Sequence, residues 1–369
     1  MRKSLILQVF LLMPGIAFAG PSISGVSGTI AHKNTIIISG SNFGMKSPAK
    51  PLIWAPFEDD TIMADSSLSA SPSNMWTNPD DNMELTSADL PHAQSKKAIR
   101  GIPWDGTTKR SVVVRGNSNS DVSKLFIFNR RKYAHASFLD YQVNYKFYRF
   151  WSETDIQPDS FLIYHNFVLT TTGQTKYNIE VSPESVEHTL TNNRGINNKW
   201  FVEEVQASHS DIDTSNGTMR YWVNGTKYEK TSVKTRITGK SDLWRRWYIQ
   251  NHWTSGRVDP AYDQYPPVGA YVYFDDIYMD TTWSRVMIGN APTFDACTHR
   301  EPLIPMTWSA SSITAMFNQG SFPNASKVYL FVIDSDGNAS LGKEITIGGT
   351  ASGGVTTAPN PPGKLTINN

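Results

Sequence analysis

The chain has 369 residues, with 34 Lys and Arg against 33 Asp and Glu, so its formal charge is +1. A nucleic-acid footprint needs a basic stripe, and the even spread of charge excludes that class of partner. Cys297 is the only cysteine, which excludes an intramolecular disulfide and a cysteine-based metal cluster.

Residues 1–19 carry the parts of a secretory signal. Arg2 and Lys3 form a basic start, and Leu5–Met13 an apolar run well short of the roughly 20 residues that a membrane span takes. Ala17-Phe18-Ala19 then fits a small-x-small cleavage site before Gly20. Export with cleavage after Ala19 is the expectation, to the periplasm, the cell surface or the medium. No later segment has the length and apolarity of a transmembrane helix. The remaining length exceeds what one core usually fills, so two or more domains are expected.

Strand signals then dominate. Thr35–Ile38, Ser111–Val114, Lys124–Phe128 and Phe161–Tyr164 are short β-branched or aromatic runs bounded by turn residues. Tyr141–Trp151, Trp244–Trp253 and Tyr271–Met279 are longer alternating runs. Helix signals are confined to Asp121–Phe126 and Glu184–Thr189, a turn or two each. The pattern predicts an all-β chain built as sandwiches. Aromatic residues reach 12%, which serves equally as sandwich core or as flat rings on which sugars stack.

The segment Pro21-Ser22-Ile23-Ser24-Gly25-Val26-Ser27-Gly28, followed by Ile38-Ser39-Gly40-Ser41-Asn42-Phe43-Gly44, resembles the opening of an IPT/TIG immunoglobulin-like domain. Its glycines suit sharp turns at positive φ. The pieces that should follow are met only near the far end, at Arg285–Asn290, Trp308–Thr314 and Lys327–Gly337, with Glu344–Ile347 as a returning strand. The resemblance implies one immunoglobulin-like domain, residues 20–52 plus 284–348, split by a domain inserted at 53–283; the alternative is two unrelated partial domains flanking a central one. Residues 349–369 read as a flexible Gly/Thr/Pro-rich tail.

Within the insert, three stretches appear in order: Phe57-Glu58-Asp59-Asp60; Asn198–Val205 leading to Arg220-Tyr221-Trp222-Val223-Asn224-Gly225; and Tyr271–Asp280. They resemble the opening strand, a central hairpin and the closing strand of concanavalin-A-like lectin/glucanase jelly rolls, in the polysaccharide-lyase-like and laminin-G-like branches. The implied fold is a jelly-roll sandwich inserted into a split immunoglobulin-like β-sandwich. The resemblance also implies a structural calcium ion between the first and last strands, at positions matched by Glu58 and Asp276 with Asp275 beside them.

Alternation along Trp244–Trp253 puts Trp244, Arg246, Tyr248, Gln250 and His252 on one face. The other face reads as core through Trp247, Ile249 and Trp253. The first set is a polar-aromatic row suited to a sugar groove, which Tyr164, Tyr271 and Tyr273 would join. An ordinary half-exposed strand has the same pattern, and His165, alternating with Ile163 and Phe167, reads as core. Arg246, Tyr248, Gln250 and His252 also match the needs of β-elimination at a uronate: a cation or amide on the carboxylate, a base, and an acid for the leaving oxygen. The recognisable motifs of lyases of this fold are nonetheless absent. So is the E-x-D-x-x-E strand of the glucanases; Asp211-Ile212-Asp213 has no following Glu, and Glu203-Glu204 point to opposite faces. The reading is an exported, non-enzymatic carbohydrate-binding or adhesion protein whose partner is a polysaccharide or other glycan. The alternatives are a polysaccharide lyase acting on a uronate-containing glycan and a structural surface protein.

Overall fold

The computed structural model describes residues 20–59, 62–71, 83–102, 106, 112–136, 145–151, 161–167, 175–181, 186–191, 196–253 and 268–351. Strands are numbered in chain order, and the sheets they form are antiparallel. Residues 1–19, with the expected export signal, and 352–369 lie outside the described set.

The first sheet joins the two ends of the described chain. Its order is β21 (Lys343–Thr346), β20 (Lys327–Ile333), β17 (Arg285–Gly289), β18 (Arg300–Trp308), β19 (Ser312–Met316), β2 (Thr35–Ser41), β1 (Ser22–Thr29) and β22 (Thr350–Ala351). In β2, Ile36 and Ile38 are buried while Ile37 between them is exposed, the period of a half-buried strand. Strand β18 pairs with β17 through its first half and with β19 through its second, slipping register between Pro305 and Thr307. Proline cannot donate to a ladder, so it marks the bend where one half of the sheet turns over the other. The two halves close on one core that includes Val26, Ile36, Ile288, Leu303, Ile313 and Leu330. Gly28 sits at φ +110° and a Cβ there would meet Thr35 O at 2.8 Å. Gly40 is needed for another reason than positive φ: a Cβ would fall 2.0 Å from Ser22 O. Thr350 and Ala351 pair with Thr29 and Gly28, so the segment read as a free tail begins as a strand.

Residues between these ends form two facing sheets. One is six-stranded, in the order β11 (Val186–Thr191), β10 (Thr175–Val181), β9 (Phe161–Phe167), β8 (Tyr145–Trp151), β15 (Trp244–Trp253), β6 (Val112–Val122). The other runs β14 (Thr226–Val233), β13 (Gly217–Val223), β12 (Trp200–Ser208), β7 (Lys124–Tyr133), β16 (Val272–Asp280), β5 (Ala98–Gly101), β4 (Met83–Thr86), with β3 (Ile53–Ala55) paired to β16. Where they are described, the stretches flagged for helical turns fall in β6 and β7, joined at Ser123, and in β11, because ladder pairing outweighs so weak a local preference; Glu184 and Ser185 lie outside the described residues.

Strands β7, β12 and β16 are buried almost throughout. Leu125, Ile127 and Tyr133 of β7 enter the core between the two sheets, whereas Phe126 and Phe128 enter a second core with Trp283, Met287, Ile304 and Phe331. The eight-stranded sheet is therefore the middle layer of three, covered on its back by the unit made of residues 22–41 and 285–351. At roughly 1.5–3 kcal/mol per buried large apolar side chain, this junction stabilises the arrangement substantially. Trp283 fixes it further by donating Nε1 to Leu125 O at 3.1 Å and Ala207 O at 3.0 Å. Lys46 Nζ and Asp280 Oδ2 meet at 2.6 Å in the same layer.

Candidate functional site

The outer face of the six-stranded sheet is settled by which residues of β8 and β15 face the core. Tyr148, Phe150, Trp247 and Ile249 are core residues, so Arg149, Trp151, Arg246 and Tyr248 lie on the opposite face, where the first three are half-buried and Tyr248 is covered to 5% exposure. Arg246 pairs with Trp151 and Tyr248 with Arg149, making a block two strands wide. The Arg149 guanidinium lies 4.1 Å over the Trp151 ring, and Trp151 meets Tyr248 edge-on at 4.4 Å. By register, one row continues from Tyr248 to Arg115 and from Arg149 through Leu162 to Glu180. A second row runs His252, Lys146, Tyr164, Asn178 across four strands. The side chains of Arg115, Lys146, Leu162, Tyr164, Asn178, Glu180, Gln250 and His252 lie outside the described set, and the two rows give the backbone register alone.

Arg149 and Trp151 escaped the sequence reading. The signal was present, since Tyr141–Trp151 alternates, but nothing in it says that β8 is the neighbour of β15.

Trp244 does not join the face. It is fully buried, 5.5 Å from Phe150 and 3.8 Å from His209, because the ladder slips between Trp244 and Arg246 and reverses the alternation there. Burial, with Arg236 nearby, pushes His209 down to about 3, so its ring is neutral. Tyr271 and Tyr273 also leave the groove: they sit at β16, in the other sheet. Tyr273 is buried there with Trp200 5.8 Å away, and Arg100 lies 4.1 Å over Tyr271.

The expected cation ligands are separated too. The Glu58 carboxylate is held by Lys33 and lies 3.4 Å from His32, and burial notwithstanding, those two groups keep it below its ordinary range. Asp275 and Asp276 are brought instead to His92, within 4.8 Å of one another. They sit at a bulge in β16 where Asp276 takes φ +49°. Asp276 Oδ2 receives His92 Nε2 at 2.7 Å and Arg130 Nε at 2.8 Å, and Ser95 Oγ donates to Asp275 Oδ2 at 2.8 Å. Arg130 Nη2 continues to Glu301 Oε1, which also binds His299 Nε2 at 2.7 Å and Ser321 N at 3.1 Å. A chain of charges thus crosses from the middle sheet to the 285–351 unit. Burial, and then the Asp276 charge, push the Asp275 carboxyl well above the usual carboxylate range. Burial pulls Asp276 and Glu301 the same way but is overcome, for Asp276 by His92 and Arg130 and for Glu301 by Arg130 and His299.

This donor set does not fit calcium, which takes six to eight hard oxygens. The guanidinium already neutralises Asp276, and a dication beside it would be repelled. Chelation with EDTA should therefore leave the melting temperature unchanged; a fall of several degrees, reversed by added calcium, would restore the cation.

No family model matches the chain, and neither does any curated protein. Among solved structures, the endo-β-1,4-glucuronan lyase of the fungus Trichoderma reesei aligns at 13% identity over 56% of this chain and 91% of its own, with a TM-score of 0.42. The PL-14 alginate lyase of Aplysia kurodai aligns at 12% over 63% and 99%, TM-score 0.44. The globular domain of T. cruzi calreticulin aligns at 9% over 63% and 88%, TM-score 0.36. These likenesses concern the shape of the sandwich and assign no role to any residue. Among the described residues, no helix is long and apolar enough to cross a membrane.

Proposed function

We propose that this protein is exported and binds an acidic, uronate-containing polysaccharide along the outer face of its six-stranded sheet. In this reading the unit of residues 22–41 and 285–351 is a split immunoglobulin-like mount for the inserted jelly roll. The observation that carries it is the block of Arg149, Trp151, Arg246 and Tyr248. Guanidinium groups recognise planar carboxylates through paired N–H donors, and a neighbouring indole offers a stacking face to the ring that bears them. Retardation of the full chain in gels containing alginate or glucuronan tests it. Trp151→Ala and Arg149→Ala should each weaken retention at least tenfold with the melting temperature preserved. Unretarded migration in every acidic glycan would overturn the proposal and leave the structural surface protein in its place.

The row of His252, Lys146 and Tyr164 favours a second reading, cleavage by β-elimination. An arginine would neutralise the uronate carboxylate, and His252 or Tyr164 would remove the C5 proton. The C5–H electrons form the C4=C5 double bond as the C4–O bond breaks, and a second acid protonates the departing oxygen. The unsaturated product absorbs ultraviolet light. Binding without any rise in absorbance would decide against the lyase.

A further inference from the structure

A second recess opens where the 285–351 unit meets the back of the eight-stranded sheet, on the far side from the proposed groove. Its volume is about 310 Å³, and its walls include Trp200 and Glu204 of β12, Asn224 of the β13–β14 turn, Arg130 of β7, and His299 and Arg300 of the docked unit. A recess of this size suits one sugar unit, at the small end of ligand pockets.

The charges in it are already matched. Arg300 gives Nε to Glu204 Oε1 at 2.9 Å, and its Nη2 lies 2.8 Å from the same oxygen without a hydrogen bond to it, while Arg130 is held by Asp276 and Glu301. No net positive charge remains in it to attract an anion. What is left over is a donor, Arg300 Nη2, and an acceptor. Glu204 is 1% exposed, yet its Oε2 has no hydrogen-bond partner. A buried carboxylate oxygen without a donor costs at least about 1–3 kcal/mol, and a hydroxyl group of a ligand would supply that donor. Asn224 Oδ1 accepts from Val202 N at 2.9 Å, which orients the amide and leaves its NH2 as a donor to a second hydroxyl. Trp200 is half-buried and held in place, Nε1 donating to Asp89 O at 3.0 Å with Tyr273 packed against its ring. It provides the flat apolar wall.

We propose that this recess is a saccharide site for a neutral, hydroxylated sugar unit. It does not depend on the acidic-polysaccharide reading, since it uses another sheet and residues other than Arg149, Trp151, Arg246 and Tyr248. Saturation-transfer NMR on the full chain with glucose, galactose, mannose and N-acetylglucosamine tests it directly. At least one should show transfer. Trp200→Ala should abolish the signal, and Asn224→Gly, which keeps the positive φ of the turn, should weaken affinity at least tenfold. Trp151→Ala should leave it unchanged. Absence of transfer from every neutral sugar would overturn the proposal. So would transfer that survives both Trp200→Ala and Asn224→Gly in folded protein, or a preference for glucuronate that Trp200→Ala removes.

Discussion

Replacing Arg131 by methionine is expected to cost about 3–5 kcal/mol of folding stability, the range found when one partner of a buried ion pair is removed. Arg131 is fully buried between the two facing sheets, its Nε 2.8 Å from Glu203 Oε2. Tyr148 donates to Glu203 Oε2 at 2.9 Å, Tyr221 donates to its Oε1 at 2.5 Å, and Asn129 donates to Tyr148 at 2.6 Å. The guanidinium is enclosed by the rings of Tyr133, Phe147, Tyr148 and Phe274. Burial works against its charge, but Glu203 holds the proton on firmly. Without Arg131, Glu203 loses its counter-ion and is left with tyrosine donors alone. The double variant Arg131→Met/Glu203→Gln should therefore lose less than the sum of the two singles. Urea denaturation followed by tryptophan fluorescence measures all three. A single Arg131→Met loss below about 1 kcal/mol would show that the pair is not the support the geometry makes it.

Glu301→Gln should weaken the junction between the middle sheet and the 285–351 unit by a comparable amount, about 3 kcal/mol. Arg130 and Glu301 are both almost wholly buried, and the change leaves the guanidinium with Asp276 alone. The pH dependence separates this pair from Arg131. Against the pull of burial, Arg130 and His299 hold the Glu301 carboxyl well below its ordinary value of 4.5. Its contribution is therefore complete above that value and is lost as pH falls below it, because the unfolded chain takes up the proton first. Wild type should lose stability more steeply than Glu301→Gln between about pH 5 and pH 3. Parallel curves over that interval would mean that Glu301 is not the group responsible.

Much of the local structure was legible in the sequence. Asn224-Gly225 was read as a tight turn, and both residues take positive φ, 47° and 75°. Glu344 and Ile345 return onto Tyr329 and Val328 as the hairpin pattern implied. Trp247 and Ile249 face the core as alternation requires. The site residues fared unevenly for one reason: alternation survives only as long as the ladder is unbroken. A slip between Trp244 and Arg246 moved one tryptophan out of the proposed groove and into the core. The slip at the Asp275–Tyr278 stretch of β16 likewise set Asp276 beside Arg130. His92 and Glu301, which complete that chain of charges, carry no marking in sequence that ties them to Asp276.

What the sequence determined by itself was the class of element, the turns, and which residues alternate, because those depend on neighbours along a few residues of chain. Only the tertiary structure decided which face of each strand is covered. Arg130 and Arg131 stand side by side in β7, one committed to Glu301 in the junction and the other to Glu203 in the sandwich core. Period-two geometry sends them to opposite faces. That both faces are buried follows from a second unit docking on the back of the sheet, a contact between segments far apart in the chain.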